Sequence, residues 1–141
     1  LSLVIAASSP SQFPAGMSPE DWKKRREQLE GASNGWAGLF EQPRENFQIA
    51  VDEALLFANS NRIEGDLLRD SNDRLLGHVK SLKDPVEQVT AAYWATASRA
   101  PSADEIAAIN DYVTKRASNP ADAWKQVVWA LLTGPELRFN H

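Results

Sequence analysis

The sequence predicts an all-α fold: a small irregular bundle of about five to six helices preceded by an extended N-terminal segment. Four stretches carry residues that typically begin helices, and the apolar residues after them recur at three- and four-residue spacing. No apolar run alternates with polar residues as it would in a strand. Together these observations favour helices packed on helices.

The chain length fits one domain, because 141 residues can bury a substantial core without disulfides or metals. We expect residues 1–17 to be a mostly irregular N-terminal segment, since Pro10, Pro14 and Gly16 leave little room for regular structure. The apolar stretch at residues 1–7 is far shorter than the roughly 20 residues of a membrane span, although it is compatible with the tail of a signal peptide. Residues 18–141 are expected to form a single helical domain.

The helix starts are marked by residues that cap helices. The predicted N-caps are Ser18, Asp84, Ser102 and Asn119. Proline follows three of them at the first helical position, and Glu87 and Glu105 are placed to complete capping boxes. We expect the first helix over residues 19–30, ending at Gly31.

Further helices are predicted over residues 44–58, 61–69 and 72–80, from apolar residues at helical spacing. The last three helices begin at residues 85, 103 and 120 and read as neighbours in a bundle, because only short loops join them. Trp94 and Trp124 fall on the apolar stripes of two of these helices, so both are expected in the core.

The charge pattern argues against a nucleic-acid partner. The net charge is −4, whereas binding to phosphates requires a basic field. The only basic run, residues 23–26, is bracketed by four acidic residues, which is typical of a solvated helix face.

Motifs that bind metals or cofactors are missing from the sequence. There is no cysteine, and His78 and His141 lie in no metal-binding spacing. The acidic residues Glu64, Asp66, Asp70 and Asp73 lack the EF-hand pattern. We expect them to form helical ion pairs instead, Arg62 with Asp66 and Asp70 with Arg74. We therefore predict no cofactor, no structural metal and no catalytic residue.

Five tryptophans are the unusual feature of the composition. Trp22, Trp36 and Trp129 are less easily placed in a core than the other two, and they form our candidate interaction surface. An exposed tryptophan favours a protein partner or a stacked sugar. The alternative is that the bundle covers them with its own loops and tails.

Three stretches between Ala54 and His141 resemble the C-terminal part of a planctomycete-type domain of unknown function. They are residues 54–60 (ALLFANS), residues 92–101 (AYWATASRAP) followed by Glu105, and residues 128–141 (VWALLTGPELRFNH). Thr133, Gly134 and Leu137 depart from the pattern of that domain. It occurs in large secreted or envelope proteins, sometimes with cytochrome-c-like segments. The resemblance implies a helical fold and an extracytoplasmic location but no activity.

The leading hypothesis is a non-catalytic helical module of a larger secreted or envelope protein, which docks onto another domain or protein of that system. The alternatives are a carbohydrate-active enzyme and a carbohydrate-binding module that uses exposed tryptophans.

Two structural predictions concern the last third of the chain. Arg99, Pro101, Glu105 and Glu136 are expected to form a structural corner, with Arg99 at the end of its helix and the two glutamates as its candidate partners. Residues 135–141 are expected to pack against the body of the protein and cover Trp129, which lies off the main stripe of the last helix.

Overall fold

The computed structural model describes residues 2–40, 61–116 and 118–134, without the side chains of residues 2, 35–40, 61–63 and 120. The described part forms seven α-helices: α1 (Ser2–Ala6), α2 (Pro19–Phe40), α3 (Asn61–Asp66), α4 (Leu75–Ser81), α5 (Pro85–Ala97), α6 (Ala103–Lys115) and α7 (Pro120–Thr133). A 3₁₀ helix at Pro10–Gln12 lies between the first two. No strand occurs in these ranges, so the predicted all-α fold is confirmed.

The four predicted N-caps all form. Ser18 accepts a hydrogen bond from the backbone N–H of Asp21 at the start of α2. Asp84 and Asn119 cap α5 and α7 in the same way, with proline at the first helical position of each. Ser102 and Glu105 form a capping box at α6. The box predicted between Asp84 and Glu87 is wrong, because the Asp84 carboxylate accepts from Val86 instead.

The core lies where α4, α5 and α7 meet, and α6 packs on α5 and α7. The largest fully buried apolar side chains of these helices are Leu75, Leu76, Val79, Val89 and Val128. Burial of each such side chain contributes about 1.5–3 kcal/mol, so this contact region supplies much of the driving force for folding. The last three helices are mutual neighbours, as their short loops predict.

The N-terminal segment is more ordered than predicted. Residues 2–6 form α1, whose Val4 and Ala6 side chains belong to the same buried cluster as Leu75. The backbone N–H of Leu75 donates to the carbonyl oxygen of Ala7 over 2.8 Å, and that of Ser9 donates to Asp73 over 2.9 Å. Pro10 begins the 3₁₀ helix, and Pro14 and Gly16 follow it, so none of the three interrupts α1. Val4 and residues 6–9 are therefore buried parts of the folded domain.

The first long helix does not end at Gly31. It continues to Phe40, 22 residues in all. An isolated glycine costs a helix only about 1 kcal/mol relative to alanine, too little to end it where no turn competes. The predicted helices at 61–69 and 72–80 are shorter in the structure, and the one predicted at 44–58 lies outside the described residues.

None of the helices within the described ranges combines the length and apolar character needed to cross a membrane.

Candidate functional site

An open groove lies between α2, α1 and the turn that follows the 3₁₀ helix. Its volume is about 680 Å³. The residues that line it are Ile5, Phe13, Pro19, Trp22, Lys23, Arg26 and Leu29. We call this surface the Trp22 groove. Most of its lining is apolar, which is unusual for an open surface of a small helical protein.

Two aromatic rings form one wall of the Trp22 groove. Phe13 stacks on Trp22 with ring centroids 6.0 Å apart and an interplanar angle of 21°. The guanidinium of Arg25 lies 5.7 Å from the Phe13 ring and donates to Gln12 over 3.0 Å. These contacts hold the turn after the 3₁₀ helix against α2 and orient the indole.

Two large apolar residues that line the groove remain open to solvent. Ile5 is 40% exposed and Trp22 is 47% exposed, whereas Leu29 is buried at the base. Large apolar side chains with this exposure on one concave surface mark a binding site more often than isolated exposed ones do.

The charged lining residues of the groove are both cations. Arg26 donates to Glu30 over 2.7 Å, and this hydrogen bond raises the pKa of the guanidinium. Lys23 is exposed on the same helix. The basic run is thus mostly solvated, as its charge pattern predicts, except that Arg25 is half-buried against Phe13.

The sequence identifies only part of this site. Trp22, Arg26 and Leu29 follow the four- and three-residue spacing of one helix face, so the helical wall could have been recognised. Nothing in the sequence indicates that Ile5 and Phe13 pack onto that face, because they come from elements predicted to be irregular.

The five tryptophans differ in their environments. Trp124 is buried, as predicted. Trp94 was predicted to be in the core but is 56% exposed, because the buried face of α5 runs through its neighbour Tyr93. Trp129 is half-buried against the core, and the side chain of Trp36 lies outside the described residues. Of the two members of the predicted interaction surface whose side chains are described, Trp22 lines one of the grooves found here and Trp129 does not.

The corner between α5 and α6 contains the pair of Arg99 and Glu105. The guanidinium of Arg99 donates two hydrogen bonds to the carboxylate of Glu105, over 2.8 and 2.6 Å, and lies 5.1 Å from the ring of Tyr93. These bonds, with a backbone bond from Ser102, lower the pKa of Glu105 from 4.5 to about 2. Pro101 is half-buried between Arg99 and the cap of α6. Glu136 and the rest of residues 135–141 lie outside the described residues.

The acidic residues near α4 form ion pairs, but not all the predicted ones. Asp70 pairs with Lys80 rather than with Arg74. Asp73 accepts from Arg69 over 2.9 Å, and a hydrogen bond from the Ser71 hydroxyl is the main cause of its lowered pKa. The loop between α3 and α4 folds so that Asp70 faces α4, which helical spacing cannot predict. The side chain of Arg62 lies outside the described residues.

Potential metal ligands are scattered. Within residues 2–40, 61–116 and 118–134, no three histidine, aspartate or glutamate side chains lie close enough together to hold a metal ion. His78 is half-buried on α4, and His141 lies outside those ranges.

A second, smaller groove lies between α6 and α7, with a volume of about 380 Å³. Its lining residues are uncharged: Tyr93, Ala108, Ile109, Tyr112, Gln126, Val127, Ala130 and Leu131. The Tyr112 hydroxyl donates to the side-chain oxygen of Gln126 across the two helices. We call this surface the Tyr112 groove.

No model of a known protein family matches the chain, and no curated protein or solved structure shows significant similarity to it. The resemblance to the planctomycete-type domain stays a prediction from the sequence.

Proposed function

We propose that the chain is a non-catalytic helical module that docks onto another domain or protein through the Trp22 groove. The observation that carries this proposal is the exposure of Trp22 and Ile5 on one open apolar surface. Binding energy at protein interfaces concentrates in a few large side chains, with tryptophan among the most frequent. The stack against Phe13 fixes the indole before binding, which lowers the entropy that docking must overcome.

The occupant we propose is a protein segment that carries apolar side chains flanked by carboxylates. The apolar side chains match Ile5 and Trp22, and the carboxylates match the lining cations Lys23 and Arg26, of which Arg26 also pairs with Glu30. Complementary charge of this kind speeds association and selects among partners, and its effect falls as salt rises.

Carbohydrate binding and carbohydrate hydrolysis are less well supported at this surface. Sugar hydroxyls are both donors and acceptors, whereas the lysine and arginine side chains in the groove can only donate. No lining residue carries a carboxamide, or a carboxylate of the kind that glycoside hydrolysis uses in pairs. The lining therefore favours a protein partner.

The proposed location of this interaction rests on the resemblance of the sequence to the planctomycete-type domain. The similarity of residues 54–141 to the planctomycete-type domain supports a place in a secreted or envelope protein. We accordingly propose that the partner is another domain or protein of the same extracytoplasmic system.

A peptide library displayed on phage tests the proposal. The library is selected on the immobilised chain after depletion on the Trp22→Ala variant. We expect selected peptides to combine aliphatic or aromatic residues with aspartate or glutamate, and to bind less tightly as salt increases. Peptides without acidic residues, or the absence of any peptide that distinguishes the two proteins, would overturn the proposal.

Matched variants keep this test specific. Trp94→Ala removes an indole outside the groove that is somewhat more exposed than Trp22, so it should retain peptide binding. Lys23→Glu should weaken binding several-fold through charge repulsion, whereas Lys83→Glu, an exposed lysine on the loop before α5, should not. A glycan that binds the wild-type chain and not the Trp22→Ala variant would replace the proposal with carbohydrate recognition.

A further inference from the structure

We infer that the Trp22 groove of one copy of this chain binds the outward face of α5 of a second copy, so that copies associate head to tail. We call this second surface the α5 face, and it consists of Val86, Glu87, Thr90 and Trp94. The inference rests on the docking function proposed for the Trp22 groove and names a partner for it. Three observations support it: the positions of the exposed apolar side chains, the charges beside them, and the lengths of the two surfaces.

The exposed large apolar side chains of the described residues fall into two pairs. Ile5 and Trp22 line the groove, whereas Val86, 46% exposed, and Trp94, 56% exposed, lie on α5. Eight residues advance a helix by about 12 Å and turn it by about 80°, so Val86 and Trp94 lie on one side of α5. Exposed aromatic and aliphatic side chains grouped in this way mark interaction surfaces.

The charges of the two surfaces are opposite. The groove carries Lys23 and Arg26, whereas the α5 face carries Glu87. Glu87 precedes Trp94 by seven residues, which places the two side chains within about 20° of each other around the helix. Within the described part of the chain, neither Lys23 nor Glu87 forms an ion pair. Each therefore remains available to a second molecule.

These charges also select among the possible contacts between copies. Two grooves that face each other bring lysine and arginine side chains together, and two α5 faces bring glutamates together, so both arrangements are repulsive. A groove against an α5 face instead pairs Lys23 with Glu87. Because this contact joins two different surfaces, a pair of copies still has one free groove and one free α5 face, and further copies can add in the same way.

The α5 face fits the groove in size. The α2 residues that line the groove, 19 to 29, span about 15 Å along the helix axis, and the α5 face spans about 12 Å. The groove volume of about 680 Å³ leaves room for the indole of Trp94 beside the stacked rings of Phe13 and Trp22. A contact of this size is small and therefore weak, so the groove is free for other ligands in dilute solution.

A mixture of two variants, each altered on one surface, tests the head-to-tail contact. Trp22→Ala alters the groove and keeps the α5 face, and Trp94→Ala does the reverse. In analytical ultracentrifugation from micromolar to millimolar concentration, the average mass of the wild type should rise with concentration and fall with added salt. Each variant alone should stay monomeric, and their equimolar mixture should form dimers and nothing larger. A mixture that stays monomeric, or a variant that associates alone as the wild type does, would overturn the inference.

Exchange of the two charges checks the pairing of Lys23 with Glu87. Lys23→Glu and Glu87→Lys should each weaken self-association several-fold through repulsion, and the double variant should regain most of it because its charges are again opposite. Asp104→Lys makes the same change of charge in the first turn of α6 and is the matched control, which should associate as the wild type does. A double variant no better than the single ones would contradict the pairing.

These measurements fail separately from the test of the docking function. Peptides that bind the wild type but not Trp22→Ala, with copies that stay monomeric throughout, would overturn self-association alone. The absence of such peptides together with monomeric copies would overturn both. Self-association that both tryptophan variants abolish, without any selected peptide, would leave a second copy as the partner of the groove.

Discussion

Val4 and Ile5 are adjacent in α1, yet Val4 is 5% exposed within the hydrophobic core and Ile5 is 40% exposed in the Trp22 groove. Consecutive residues of a helix point about 100° apart, so one short helix contributes to both surfaces. The backbone bond from Leu75 to Ala7 fixes α1 in this orientation. The N-terminal segment therefore links the stability of the core to the shape of the groove.

This arrangement predicts different effects for two neighbouring substitutions. Val4→Ala removes two buried methyl groups and should lower the free energy of unfolding by about 1.5 kcal/mol or more. Ile5→Ala should change it by less than about half that amount, because the side chain is already partly solvated, but it should weaken peptide binding in the groove. Chemical denaturation and peptide titration of both variants check this, and equal destabilisation would show that α1 is wrongly oriented.

The ion pair between Arg99 and Glu105 predicts a pH-dependent stability. The pKa of Glu105 falls from 4.5 to about 2 on folding, so its ionised form stabilises the native state. This contribution is fully present above pH 4.5 and is lost as the pH falls toward 2.

Melting temperatures of the wild type and Glu105→Gln should therefore differ most at neutral pH and converge as the pH falls through this range. Glu27→Gln, at an exposed position of α2, is the control and should show no such convergence. A constant difference between wild type and Glu105→Gln at all pH values would contradict the assignment.

Ser98 ends α5 in the left-handed region, with φ 56°. A residue with a Cβ loses roughly 1–2 kcal/mol there, and glycine does not. Glycine avoids this penalty but loses more conformational entropy on folding than serine does. The net effect of Ser98→Gly should therefore be a rise of about 0.5–1 kcal/mol in the free energy of unfolding. Ser102→Ala, four residues on, should lower it by about 1 kcal/mol because it removes the cap of α6. Urea denaturation of both variants should give opposite signs.

Gly77 marks the closest backbone approach found among the described glycines. A Cβ built on it would lie 2.2 Å from the carbonyl oxygen of Ser71, a backbone atom that cannot rotate away. Gly77→Ala should lower the free energy of unfolding by about 2 kcal/mol or more, at the upper end of typical overpacking costs.

Gly31 is the matched control, since a Cβ there meets no atom within 4 Å. Gly31→Ala should stabilise α2 by about 1 kcal/mol, the difference in helix propensity. A loss of stability in Gly31→Ala would show that α2 breaks at that position.

The features that the sequence predicts correctly are local. Ser18, Asp84, Ser102 and Asn119 cap helices through atoms two or three residues away, and the partner of Arg99 is six residues along the chain. Such contacts depend on residue type and spacing, and both can be read from the sequence.

The features that it misses depend on distant contacts or on small angular differences. Residues 2–6 form a helix. Directly after it, the backbone of Ala7 and Ser9 bonds to Leu75 and Asp73, and no sequence pattern marks that pairing. Trp94 is next to the buried Tyr93 on α5, and a rotation of about 100° separates a core position from an exposed one. The Trp22 groove combines three elements, of which only α2 was expected.

We propose that the Trp22 groove binds a protein segment. Calorimetric titration of the tightest phage-selected peptide into the wild type, Trp22→Ala and Trp94→Ala tests it most directly. We predict that Trp22→Ala raises the Kd by at least about tenfold, as removal of an interface hot spot does, and that Trp94→Ala leaves it within about twofold, as an indole outside the interface should. Equal loss of affinity in both variants, or a larger loss for Trp94→Ala, would contradict the claim.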